Sequence, residues 1–412
     1  MGQGAERQPE EPVGPLALEQ VLAVVLLGSP ELAAFEWDVR AAEARRLYAG
    51  QWVNPDVSLD VQDALGTRDF KGLSQAQTTL QLGQVIELGG KRQARHAVAE
   101  GAERDALREY DLWRIAVLSE AATRFIHLVG DQARLALGQK ARELAQDALA
   151  EAQRRVSAGA ASSVEERRAR VFLARIKIAE QRAERELLSS RRNLAAMWGS
   201  TRARFSEAQA DLFVRAPVPT LEGLTSRIEK NPELRRLAAE QALRDANVTL
   251  AESRGVPDVR LSVGARRLEG PAAVAFLAGV SMPLPLFERN QGEIGASRAL
   301  RAKLDDERKA ARVTLLATLF TQHQDLVRVV EEIEALEGEV LTQAEAMMKA
   351  TEEGFRLGRF SQLELIDAQR TLVEVRKEHI DAAEKYHSHV VRLEKLIGGP
   401  LAAAAKGQEN AP

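Results

Sequence analysis

Between Lys91 and Gly199 the chain runs for more than a hundred residues without a proline, and only Gly101, Gly130, Gly138 and Gly159 interrupt it. Leu118, Ala122, Phe125 and Val129 step by four, three and four residues, and Leu137, Ala141, Leu144 and Ala148 repeat the steps. This is the seam of a helix packed along other helices. Small residues gather once, from Ser157 to Ser163 around Gly159. The pattern predicts a long outgoing helix, a tight tip near Gly159, and a return helix from about Val164 to Trp198. An outgoing arm of roughly 65 residues would be about 100 Å long at ~1.5 Å per residue. That exceeds the diameter of a globular domain, so an elongated chain is expected.

The hairpin occurs twice. Gly358 answers Gly159, Ser361 answers Ser162, Glu364 answers Glu165, Ala368 answers Ala169, Leu393 answers Leu194 and Gly398 answers Gly199, at one constant separation. A period this long marks a duplicated half-molecule rather than a solenoid repeat. In the second copy Leu319, His323, Leu326, Val330, Ile333, Glu337, Val340, Ala344 and Met347 alternate steps of four and three, and the return arm carries Leu365, Leu372, His379, Tyr386 and Leu393 every seventh residue.

Between tail and hairpin the period changes. Val57, Leu59 and Val61 alternate with Ser58, Asp60 and Gln62, and the alternation resumes through Leu80 and Leu82. The second half answers with Val259, Leu261 and Val263, then Val274, Phe276 and Val280. Alternation of this kind predicts strands. The order is helix, strand, strand, long helix, tip, return helix, twice over. It divides the chain into a tail (1–14), a first repeat (15–200), a linker with Pro217 and Pro219 (201–220), a second repeat (221–400) and a tail (401–412), both tails expected to be disordered. The first helix and the return helix together nearly equal the outgoing one, so two short helices stacked end to end can run beside a long one. The fold class is mainly α with a small β portion.

Each strand spans roughly 9–11 residues, enough to cross a bilayer at the tilt of a barrel strand. One face is aliphatic and the other carries Ser, Asp, Gln and Arg, which suits a barrel with lipid outside and water inside. Val57, Leu59, Val61, Leu80, Leu82, Val259, Leu261, Val263, Val274, Phe276 and Val280 are the expected lipid-facing residues. Four strands do not close a barrel, and open edges are not tolerated in lipid. Several chains must therefore pool their strands; pattern alone does not choose among 8, 12 or 16. The alternative is a soluble periplasmic coiled-coil scaffold or adaptor, its strands forming a small sheet within one chain.

Composition narrows the field. The net charge of −3 excludes a polybasic nucleic-acid binder. With no cysteine there is no disulfide or thiolate metal site. No apolar run is long enough for a transmembrane helix. Val21–Leu27 follows Glu10, Glu11 and Glu19 and lacks a basic leader, so it reads as part of a mature helix; a signal peptide for an exported protein would lie outside this sequence.

Over about residues 16–400 the chain resembles the TolC-like family of bacterial outer-membrane efflux proteins. The carriers are the duplicated element order, Gly89-Gly90-Lys91-Arg92 after the second strand, and Pro283-Leu-Pro-Leu-Phe-Glu-Arg-Asn-Gln-Gly-Glu-Ile294 after the fourth. The last two are similar to the cobalt–zinc–cadmium branch. The resemblance implies a homotrimer whose chains form a 12-stranded transmembrane β-barrel in the outer membrane, continued by an α-helical barrel in the periplasm. It implies a periplasmic adaptor (membrane-fusion) protein at the tips, bound to an inner-membrane proton-driven pump of the resistance–nodulation–division type. The chain would be a passive channel exporting heavy-metal cations, or other small toxic compounds, from periplasm to exterior, and not an enzyme.

The resemblance also points to residues. Glu364 and Asp367, at i and i+3 beside the second tip, share a helix face where the family carries the acids that narrow its periplasmic entrance, although Glu364 stands where aspartate is more usual. Threefold symmetry would gather six carboxylates, and a narrow ring of one sign concentrates cations. A solvated acidic helix start is the plainer reading. In the first tip the equivalent positions are Glu165 and Arg168. Gly159 and Gly358 suit a tight reversal; with Ser162, Arg359 and Phe360 they are the expected adaptor contacts. His387 and His389 point to nearly opposite sides of a helix, and His323 and His379 sit in the seam, so neither a metal site nor any cofactor is expected. No catalytic triad, phosphate loop or metalloprotease motif is present.

Overall fold

The computed structural model describes residues 11–401, and the expected tails therefore fall largely outside the described residues. In chain order the elements are β1 (Gly14–Leu16), α1 (Leu18–Gly28), α2 (Pro30–Ala49), β2 (Asp56–Gln62), β3 (Gln77–Ile86), α3 (Lys91–Ser157), α4 (Ser163–Ala195), β4 (Phe205–Ala208), α5 (Leu221–Thr225), α6 (Pro232–Arg254), β5 (Val259–Leu268), β6 (Ala273–Ser281), α7 (Gln291–Ala335), α8 (Leu341–Arg356) and α9 (Gln362–Ile397). The chain divides into two compact units. One is drawn from residues up to 35, 111–232 and from 312 onward, the other from 36–110 and 233–311. Each unit takes segments from both repeats.

Three features differ from the periodicity reading. The first helix breaks at Ser29, where α1 and α2 meet at a 46° bend. The expected linker 201–220 contains β4, which pairs in parallel with β1, so Gly14 is part of a strand rather than of a tail. The second outgoing arm is interrupted by a π-helical turn, Leu336–Val340, between α7 and α8. A π turn takes in an extra residue and moves the seam. Leu336 and Met348 are buried, while Val340 and Met347, which the heptad would put inside, are exposed.

In the first unit α3, α4, α8 and α9 meet through small and aliphatic side chains. Ala145 of α3, Phe172 and Leu173 of α4 and Ile366 of α9 form one cluster; Ala148 of α3 joins Ala344, Met348 and Phe355 of α8 and Leu365 and Leu372 of α9 in another. Repeat-related residues do the same work: Leu194 and Leu393 are both fully buried. Gly199 and Gly398 both end their return helices in the left-handed region. A Cβ on Gly199 would lie 3.2 Å from Pro30, and one on Gly398 would lie 3.3 Å from Pro232. Each return helix thus abuts the proline that opens another helix.

A charged network crosses this packing. Arg134 of α3 bonds Asp131 at 2.9 Å, Asp381 of α9 at 2.8 Å, and Glu384. His127 also meets Glu384. Burial pushes the Glu384 carboxyl up, but the His127 hydrogen bond and the Arg134 charge outweigh it and hold it below the usual range. Gly130 makes the approach feasible, because a Cβ there would collide with the Glu384 carboxylate.

Gly130→Ala should therefore lower unfolding stability by about 1–3 kcal/mol, the usual cost of overpacking. Gly138→Ala, whose Cβ would make an ordinary 3.5 Å contact with Glu180, should be neutral or gain up to about 1 kcal/mol of helix propensity. Thermal melts of the two variants check this; equal behaviour would mean that Glu384 moves aside freely.

Candidate functional site

The four strands of the second unit form one antiparallel sheet in the order β2-β3-β5-β6. Register decides which side chains share a face. Val57 lies opposite Leu82, which lies opposite Val263 and then Ala278. The next row is Leu59, Leu80, Ala265 and Phe276; others bring Leu261 beside Val280, Arg267 beside Val274, and Ile86 beside Val259. Directly paired residues project to the same side. All eleven residues expected to face lipid therefore lie on one face. Ten of them are exposed, Phe276 at 88% and Val280 at 74%, and Val259 is half-buried.

The opposite face is polar. Its rows are Asp56, Gly83, Ser262 and Gly279; Ser58, Gln81, Gly264 and Leu277; and Asp60, Thr79, Arg266 and Ala275. Arg260 pairs with Asp56 across the sheet, and Arg266 donates to Thr79 Oγ1 at 3.0 Å and Gln77 Oε1 at 3.2 Å. β2 and β6 are the two edges of this sheet.

The two hairpin tips have the same backbone. The N–H of Gly159 donates to Val156 O and that of Ala160 to Arg155 O; in the second tip Gly358 donates to Phe355 O and Arg359 to Gly354 O. These are the paired bonds of a helix C-terminus closed by a left-handed residue, with φ of +70° at Gly159 and +76° at Gly358. Ser162 caps α4 by accepting from Val164 N, and Ser361 caps α9 by accepting from Glu364 N. Phe360 is exposed on one side and seated on Gly354 on the other, where a Cβ would strike its ring; Arg359 is exposed.

The expected acidic pair is exposed on α9, but its members differ. Glu364 accepts hydrogen bonds from the Ser361 N–H at 2.6 Å and the Ser361 hydroxyl at 2.8 Å, a reciprocal capping box. Those bonds hold its carboxyl below the usual range. Asp367 has no hydrogen bond or ion pair among the described residues.

Sequence reasoning missed how the linker is fastened. His323 meets Pro219 O at 3.0 Å, His387 meets Leu212 O at 3.0 Å, and Tyr386 donates to Ala216 O at 3.0 Å. Arg215 pairs with Glu337 of the π turn, which also meets His379. The seam positions of His323, His379 and Tyr386 were legible; the linker partners lie far away in sequence and carry no period. Within the Pro283–Ile294 motif beyond β6, Leu284, Leu286 and Phe287 form an exposed apolar run, the last at 92% exposure. Among the described residues no three His, Asp or Glu side chains converge as a metal-ligand set, and no single helix is long and apolar enough to cross a membrane.

Over residues 21–200 and again over 224–399 the sequence matches the family described as Outer membrane efflux protein. It is 31% identical over 390 residues to the cobalt-zinc-cadmium resistance protein CzcC of Cupriavidus metallidurans, covering 95% of this chain and 92% of that protein. Among solved structures, a membrane protein from Pseudomonas aeruginosa superposes with a TM-score of 0.79 at 17% identity, over 95% of this chain and 96% of that one. The outer membrane protein VceC of Vibrio cholerae gives 0.78 at 16% identity, over 93% and 96%. At these identities the structural matches speak for the fold alone.

The tip geometry makes a measurable demand. Gly159→Ala and Gly358→Ala place a Cβ in the left-handed region at roughly 1–2 kcal/mol each, whereas asparagine tolerates it. Limited proteolysis should nick the alanine variants at their tips well before the asparagine variants. Alanine tips as resistant as the unaltered ones would contradict the strain.

Proposed function

This chain belongs to the outer membrane efflux protein family, and we propose that it is the outer-membrane channel of a tripartite efflux assembly. In this reading it is a passive conduit that moves heavy-metal cations, cobalt, zinc or cadmium among them, from the periplasm to the exterior. Three chains pool four strands each into a twelve-stranded barrel, and the helical hairpins continue the passage into the periplasm. Their tips meet a periplasmic adaptor that is itself joined to an inner-membrane pump of the resistance–nodulation–division type. The conduit supplies no catalytic step.

The observation that carries the reading is the sheet: an aliphatic face left uncovered by the chain, a polar face bridged by Arg260–Asp56 and Arg266–Thr79, and two edges. A soluble scaffold would lay helices over the aliphatic side, since a patch of that size exposed to water invites aggregation. Hydrocarbon reverses the preference, and edges in hydrocarbon require neighbours. The cargo is inferred from the cobalt-zinc-cadmium resistance relative CzcC and from the acids at the second tip.

Two neighbours on β2 separate the faces. Leu59→Lys sets a charge on the lipid side, at roughly 2–4 kcal/mol near the bilayer midplane, and should remove the protein from the outer-membrane fraction. Ser58→Lys, on the water side, should leave insertion intact. Equal insertion of both variants would refute the assignment of faces.

The second test concerns the mouth. Planar-bilayer recordings should show cation-preferring pores, weakened by Glu364→Gln with Asp367→Asn; glutamine retains the capping bonds and removes only the charge. The Ser361 hydrogen bonds hold the Glu364 carboxyl below its ordinary range, which favours its ionised form. Lost as acid fills the carboxylates, the cation preference should fall only on acidification below the usual glutamate range. Unchanged selectivity in the double variant would remove these residues from the gate.

A further inference from the structure

Residues 211–219 lie between the two repeats, and three of the chain's six histidines touch them. Among the described residues the outward hydrogen bonds of this segment run to His323 of α7, Glu337 of the π turn, and Tyr386 and His387 of α9. Leu212 and Pro219, near its two ends, are buried, whereas Phe213, Val214 and Ala216 between them are exposed. Phe213 stacks on the His379 ring at 4.5 Å. The segment is thus a strap, fastened by an imidazole at each end and by Arg215 in the middle.

The end contacts and the central one respond to a proton in opposite ways. The carbonyls of Leu212 and Pro219 can only accept, so Nε2 carries the proton in His387 and in His323, and Nδ1 is bare on each neutral ring. The His323 Nδ1 is buried and has no partner among the described residues. A second proton there would place a charged N–H where nothing receives it. At His387 burial outweighs the Leu212 carbonyl and the Asp211 charge and holds the ring below the usual histidine range. The edge contact with Tyr386, at 5.0 Å, brings no charge. His389 meets Gln322 and faces Asp325, Arg328, Lys385 and Arg392; burial holds it low as well. In the middle, Arg215 and His379 both meet Glu337, and the Arg215 bond above all keeps that carboxyl below its usual range. A proton on His379 would only add to this attraction.

We propose that residues 211–219 are an acid-released strap: neutral His323 and His387 hold its ends down, and protonation of both lets the ends lift while Arg215 remains as the pivot. A histidine that the fold keeps neutral contributes stability above its ordinary range, and loses it as pH falls through the lowered value. Release therefore comes on the acid side. His127 behaves oppositely, because the Glu384 hydrogen bond holds its proton on, so the α3–α9 contact gains over the same range. Acid thus loosens the linker and leaves the hairpins together. All of these contacts lie within one chain, so the strap stands whether or not the chain is a channel.

The absence of native cysteine allows one labelled site in the full chain. Val214, 64% exposed, can be replaced as Val214→Cys and made to carry a nitroxide. In the detergent-solubilised protein the spin label should be largely immobile at about pH 7.5 and largely mobile at about pH 5, the range in which histidines change charge. The change should reverse when the pH is restored. Glutamine donates the same bond from a nitrogen that does not titrate, so His323→Gln with His387→Gln should keep the label immobile at both values. Circular dichroism on the same samples should show unchanged helix content. A label whose mobility ignores pH would overturn the assignment. So would a glutamine pair that still responds to acid or is mobile at neutral pH, or helix lost together with the strap.

Discussion

Backbone groups on the outer sides of β2 and β6 point away from the sheet partners found among the described residues. In water this edge would be a modest liability; in hydrocarbon each unmet N–H or C=O costs several kcal/mol. The side chains leave little choice of medium, because the aliphatic rows from Val57 to Val280 are uncovered and in register. An apolar face and bare edges together demand other chains. The proposed multimer follows from that demand as much as from family membership.

The helical unit meets a different constraint, that of bringing long helices close. Alanines at the shared clusters, Gly130 beneath Glu384 and Gly138 beside Glu180 let backbones approach where larger residues would hold them apart. Close approach buries charge, and Arg134 answers it by serving Asp131, Asp381 and Glu384 at once. A buried carboxylate left alone would be strongly destabilising. The glycine and the arginine are therefore two halves of one arrangement.

Much of this was readable in the sequence because it repeats. The tips followed from small residues around Gly159 and their echo at Gly358, and the strands from an alternation whose eleven expected lipid-facing members fell on one face. What escaped was set by distant partners. The π turn displaced Val340 and Met347 from the seam, and its Glu337 answers Arg215 and His379 from other parts of the chain. The bend at Ser29, just before Pro30, splits what the periodicity offered as one first helix. β1 and β4 are too short to show a period. At the mouth, the spacing of Glu364 and Asp367 was legible; that Ser361 engages only the first was not.

Duplication has left two reversals with one backbone and two chemistries: Glu165 and Arg168 beside the first, Glu364 and Asp367 beside the second. Around the proposed three-chain ring such ends would alternate, giving a rim sixfold in its main chain and only threefold in its side chains. A collar of six like subunits seated on that rim would meet mixed-charge and acidic landings by turns. Half of its members would therefore be held by contacts that the other half lacks.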